Sequence, residues 1–116
     1  MIPSKILKIS NTFGLRDDDI ETIVVVLQGE DTVEQALIFG SRAKGNYRTG
    51  SDVDIALKGR NITHSTIVRI SERLNEETLM PYRFDVLHYD TITHNPLVEH
   101  INRIGIVFYS KLDKKN

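Results

Sequence analysis

From residue 51 to residue 57 the chain reads Ser-Asp-Val-Asp-Ile-Ala-Leu, two aspartates one residue apart inside an apolar run. The apolar spacing predicts a strand over Val53 to Leu57. In a strand, residues i and i+2 point to the same face. Asp52 and Asp54 then aim two carboxylates at one place, while Val53, Ile55 and Leu57 point to the other. A strand of this kind needs a core against one face and a polar site against the other. Two like charges so close repel unless something cationic lies between them. A hard divalent cation with oxygen ligands answers that need, and Mg²⁺ commonly bridges carboxylates to substrate phosphates.

The chain of 116 residues fits one domain, here placed at residues 1–110, with a polar tail over residues 111–116 expected to fray. At 40% hydrophobic and 27% charged residues it has the composition of a soluble globular protein. No apolar run approaches the roughly 20 residues needed to span a bilayer. The first ten residues, MIPSKILKIS, lack a long apolar core with a small-residue cleavage site. With no cysteine there are no disulfides or thiolate metal sites, which leaves the redox compartment open; the lack of an export signal makes the cytoplasm the expected location. A net charge of −1 does not mark a basic surface for direct nucleic-acid binding.

Ile20, Ile23, Val24 and Leu27 recur at helical spacing behind three acids, Asp17 to Asp19, which favour a helix N-terminus. A helix is expected over Asp17 to Gln28, ended near Gly29. Val33 to Phe39 reads as a buried strand. Ile62, Ile67, Ile70 and Leu74 predict a helix over about Thr63 to Glu77, closed by the turn at Pro81. Arg83 to His88 alternates as a third strand, with Phe84, Val86 and His88 on one face and Asp85 and Leu87 on the other. Pro96 opens a helix running to about Arg103, and Ile106 to Tyr109 forms a fourth strand at a sheet edge. The expected fold is α+β: a mixed sheet of about four strands covered by helices.

Gly40 and Ser41 follow a strand and precede a short helical segment, Arg42 to Asn46. Glycine lets the backbone turn and lets a ligand approach closely. Free N–H groups there, with the Ser41 hydroxyl, suit an anion, and Arg42 and Lys44 add positive charge matched to phosphate. Asp85 on the third strand is placed to bring a third carboxylate to the same region. Three carboxylates beside a phosphate cradle describe a nucleotidyl-transfer site, in which two metal ions clamp the attacking and leaving oxygens.

G-S-R-A-x-G at 40–45, S-D-V-D-I-A-L at 51–57 and F-D-V-L at 84–87 together strongly resemble the nucleotidyltransferase superfamily related to DNA polymerase beta. Among its members the chain looks like the minimal nucleotidyltransferases (MNT) of bacteria and archaea. The resemblance runs from the first helix to the last strand. It implies transfer of a nucleoside monophosphate from an NTP to an acceptor. Gly40, Ser41, Arg42 and Lys44 would bind the nucleotide, with Ser41 on the triphosphate. Asp52, Asp54 and Asp85 would bind Mg²⁺, two ions in all, with Asp85 also favouring deprotonation of the acceptor hydroxyl. The MNT family is typically paired with a small helical HEPN protein, a toxin for which the MNT member is the antitoxin. The implied reaction is AMP transfer from ATP to a tyrosine hydroxyl of that partner, adding bulk and negative charge to it. A non-catalytic module that binds nucleotide and neutralises its partner by contact, and a transferase acting on an aminoglycoside-like small molecule, are the competing readings.

Other chemistry-bearing residues are expected in plainer roles. Arg48 and Tyr47 lie on the loop before the aspartates; Arg48 is assigned to the solvent-exposed surface ahead of the ligand, and for Tyr47 a plain role serves at least as well as contact with a base or partner. His64, His88, His94 and His100 form no metal cluster and are assigned to structure or surface. Asp17 to Asp19 are assigned to the helix start.

Overall fold

A computed structural model describes residues 13–111. The readings of residues 1–10 as lacking an export signal and of residues 112–116 as a frayed tail fall outside them. The chain runs through helix α1 (Asp17–Gln28), strand β1 (Gln35–Phe39), the short helix α2 (Gly40–Lys44) and strand β2 (Val53–Lys58). Helix α3 (His64–Glu76), strand β3 (Phe84–His88), helix α4 (Asn95–Ile104) and strand β4 (Ile106–Ser110) follow, with a single 3₁₀ turn at Tyr89–Thr91 between β3 and α4. The expected α+β order of elements is present. The 3₁₀ turn, too short for a periodic pattern, was not expected.

The four strands form one mixed sheet in the order β3-β2-β1-β4. β1 runs antiparallel to both β2 and β4, and β2 runs parallel to β3. β4 lies at an edge, as expected. β1 begins two residues later than the apolar run does. Val33 is fully buried, but its N–H donates to the Glu30 carbonyl in a turn, and pairing begins with Glu34 donating to Lys58. Between β1 and β4 the register slips, so that Ala36 faces Tyr109 while Leu37 faces Val107. Phe108 is the extra residue of this bulge, which lets Phe108 and Tyr109, neighbours in sequence, join the same core.

The two faces of the sheet are covered unequally. On one face α1 and α3 close over Val53, Ile55, Leu57, Ile38, Phe84 and Phe108 in a core that counts nineteen buried residues among those described. On the other, α4 brings Ile101 against Leu37, Phe39 and Ala56, and among the described residues those four form the buried cluster. Local chemistry sets the helix ends. The Asp19 carboxylate accepts the Arg16 N–H at 3.0 Å, as an acid at a helix start should. It also accepts the Tyr82 hydroxyl at 2.8 Å, which ties α1 to the segment entering β3. Thr63 caps α3, its hydroxyl accepting from the Thr66 N–H. No helix of the described residues is long and apolar enough to cross a membrane.

Candidate functional site

The poorly covered face carries the acids. Asp54 is the second residue of β2, paired with Phe39 of β1 on one side and with Asp85 of β3 on the other. Parallel in-register neighbours share a face, so Asp54 and Asp85 project together, beyond the patch that α4 covers. Asp52 stands one residue before the strand and is exposed. Its charge reaches Asp54 all the same. Burial first, and then the negative charges of Asp85 and Asp52, push the Asp54 carboxyl up from 3.8 to about 6.

Gly40 completes this corner. Its φ is +73°, a region that side chains rarely adopt, and a Cβ there would meet the Asp54 Oδ2 at 2.2 Å. The glycine therefore makes room for the carboxylate as well as for the turn out of β1. Ser41 follows, half-buried, and Lys44 is exposed at the end of α2, where Gly45 with φ 90° stops the helix.

Among the described residues no three acidic or imidazole side chains are gathered closely enough to hold a metal ion. Like charges keep apart, and Asp85 leans toward Arg83, with Oδ1 3.8 Å from the Arg83 Nε. The convergence of residues 52, 54 and 85 expected from sequence is thus present as a neighbourhood of repelling charges and not as a closed cage. The donor set suits a hard divalent cation: carboxylate oxygens only, space beside a glycine, and a repulsion that a cation would relieve.

Arg42 stands elsewhere than the phosphate role expected for it. It is 2% exposed, and its guanidinium is committed to backbone and rings. Nε and Nη2 both donate to the Ser51 carbonyl, at 3.2 and 3.0 Å, and Nη1 donates to the Phe13 carbonyl at 2.8 Å. The Tyr47 and Tyr82 rings lie 5.2 and 5.1 Å from its central carbon, within cation–π range. These partners are 9 and 29 residues away in sequence for the hydrogen bonds alone, and no local pattern announces them. Tyr47, weighed as a ligand contact, proves to be part of this packing. Arg48 lines a cleft of about 380 Å³ with Tyr47, Thr49, Gly50 and Tyr82, and the three acids are not among its walls.

The histidines take structural or surface places. His88 Nε2 lies 3.0 Å from the Gly59 carbonyl and 3.3 Å from Asp90, and His100 packs edge-on against Phe39. His64 and His94 are exposed.

The sequence matches the family model described as polymerase beta, nucleotidyltransferase, over residues 21–114. No curated protein matches it. Several solved structures share the fold. A toxin–antitoxin structure with AMP-PNP contains a chain superposing with a TM-score of 0.66 at 16% identity, over 85% of this chain and 77% of that one. A chain from the complex of a tri-AMPylated Shewanella oneidensis HEPN toxin with MNT antitoxin gives 0.62 at 13%, covering 82% and 72%. A putative nucleotidyltransferase from Sulfolobus solfataricus gives 0.52 at 19%, covering 93% and 83%. At such identities the likeness speaks for the fold alone.

Proposed function

This chain belongs to the polymerase beta nucleotidyltransferase family, and on that premise we propose that it moves AMP from ATP onto a hydroxyl, a tyrosine's, of a HEPN-type partner toxin and so acts as an antitoxin. The observation that carries the reading is the in-register pair Asp54–Asp85 on adjacent strands, with Asp54 set against the side-chain-less Gly40. That arrangement supports an acidic cluster beside a backbone turn able to receive phosphates. The toxin–antitoxin complexes that share the fold, one with AMP-PNP and one with an AMPylated HEPN toxin, support the nucleotide and the partner.

In this reading Asp52, Asp54 and Asp85 hold Mg²⁺, and Gly40 and Ser41 receive the triphosphate. The bound ions supply neutralisation of charge on the phosphates and on the attacking and leaving oxygens. The acceptor oxygen bonds to the α-phosphorus, the bond to the β-phosphate oxygen breaks, and pyrophosphate leaves. Asp85, exposed at the rim, is placed to take the hydroxyl proton. Lys44, exposed one turn after Ser41, contributes charge to the anion's approach. Arg42 is left out of the phosphate set, because its guanidinium donates to the Ser51 and Phe13 carbonyls.

Intact mass of the co-purified partner, with and without ATP and Mg²⁺, tests this. The partner is expected to gain whole AMP units, and the Asp52→Asn chain is expected to add none. A partner that never gains mass, yet is neutralised equally by a chain with Asp52 and Asp54 both changed to Asn, would replace the transferase reading with neutralisation by contact.

A further inference from the structure

We infer that Arg42 is a positioning residue for Asp52: its guanidinium fixes the peptide immediately before that aspartate and thereby sets the metal affinity of the site. The inference rests on the proposed function, because it concerns the same acids, but the observations behind it are separate. Nε and Nη2 converge on the Ser51 carbonyl, the oxygen of the Ser51–Asp52 peptide. On the far side of Asp52, the Val53 N–H donates to the Arg83 carbonyl at 2.9 Å and opens the β2–β3 pairing. Asp52 is therefore held at both flanking peptides, though its own side chain lies outside the strand. Within the loop, Ser51 closes a tight turn, its Oγ accepting from the Arg48 N–H at 2.8 Å and its N–H donating to the Arg48 carbonyl at 2.9 Å.

The clamp reaches further. Nη1 holds the Phe13 carbonyl, and the next residue, Gly14, lies so close to the Tyr47 ring that a Cβ would stand 2.4 Å from it. The turn at 13–14 and the loop carrying Asp52 are thus drawn together around one buried cation, which itself follows Ser41 directly in sequence. Burying a guanidinium is costly unless its donors are met, and an apolar side chain would fill the space at less cost. What the guanidinium adds is direction: a rigid fork on one carbonyl. A lysine in its place keeps the charge and loses the fork.

Mn²⁺ binding to the full chain, followed by electron paramagnetic resonance at saturating AMP-PNP, gives a readout independent of turnover. Against the unaltered chain, Arg42→Met is expected to weaken Mn²⁺ binding about tenfold, the scale on which supports of metal ligands act, and Arg42→Lys to fall between. In the Asp52→Asn background, Arg42→Met is expected to add no further loss, because it acts through that carboxylate. A purely structural arginine would lower the melting temperature and leave the affinity of the folded chain unchanged, or weaken it equally in both backgrounds; either result overturns the inference. Should Arg42→Met fail to fold, Gly14→Ala, which pushes the Tyr47 ring off the guanidinium, carries the test. It is expected to weaken Mn²⁺ severalfold, and unchanged affinity there and in Arg42→Lys overturns the inference. Mn²⁺ binding by the unaltered chain with no loss in the variants sinks this inference alone. No Mn²⁺ binding by the unaltered chain sinks the proposed function and this inference with it.

Discussion

The two faces of the sheet divide the labour of the molecule. Among the described residues, the face under α1 and α3 carries a hydrophobic cluster of nineteen buried side chains; the face under α4 carries one of four and leaves Asp52 and Asp85 exposed. Burial of apolar area is the main stabilising term, so the first face holds the fold. The second leaves space, and into that space the strands place carboxylates that repel one another. Apolar burial is concentrated away from these carboxylates, which lets the fold tolerate a corner whose charges oppose it.

Core truncation probes this division most strongly. Ile55→Ala, on the closed face and fully buried, is expected to cost about 3 kcal/mol in denaturant unfolding. Leu87→Ala, half-buried on the open face, is expected to cost about 1 kcal/mol. Equal losses would break the comparison. Next comes Gly40→Ala. The positive φ and the clash with Asp54 are expected to cost about 2 kcal/mol and to abolish nucleotidyl transfer. Gly45→Ala, also at positive φ but with open space around it, should show the backbone cost without the loss of transfer.

A change as small as that of Leu87→Ala has the opposite sign. The Asp54 carboxyl is raised from 3.8 to about 6 in the folded chain. The folded state therefore holds this proton more tightly than the unfolded state, and its ionisation removes stability as pH rises from about 4 to about 6. Asp54→Asn is expected to be more stable than the unaltered chain above pH 6, by about 1 kcal/mol once solvent screening of a half-buried group is allowed for. The difference should vanish near pH 4, and transfer should be lost throughout. A variant less stable than the parent at pH 7 would mean that the open face is not strained by its charges.

Most elements were legible in the sequence because their signals are local. Period 3.6 in Ile20 to Leu27 and in Ile67 to Leu74, and the alternation at 83–88, each require only near neighbours. The late start of β1 was not legible: Val33 is apolar and buried, but a turn to Glu30 takes its N–H, and apolarity alone does not distinguish the two. That Asp54 and Gly40 are neighbours was legible because the glycine turn and the strand carrying the aspartate lie within one short stretch. Arg42 was misplaced for the complementary reason. Beside Gly40 and Ser41 a cation looks like a phosphate ligand, and only distant groups show where it turns.

By itself, then, the order of residues determined which segments become helix or strand, and that Asp54 stands near a glycine turn, because hydrophobic period and backbone freedom act over a few residues. Tertiary structure alone decided that β2 lies parallel to β3, bringing Asp85 beside Asp54, and that Arg42 spends its donors on the carbonyls of Ser51 and Phe13. Those are contacts between segments far apart along the chain, and they exist only once the sheet has assembled and the guanidinium has been taken out of water.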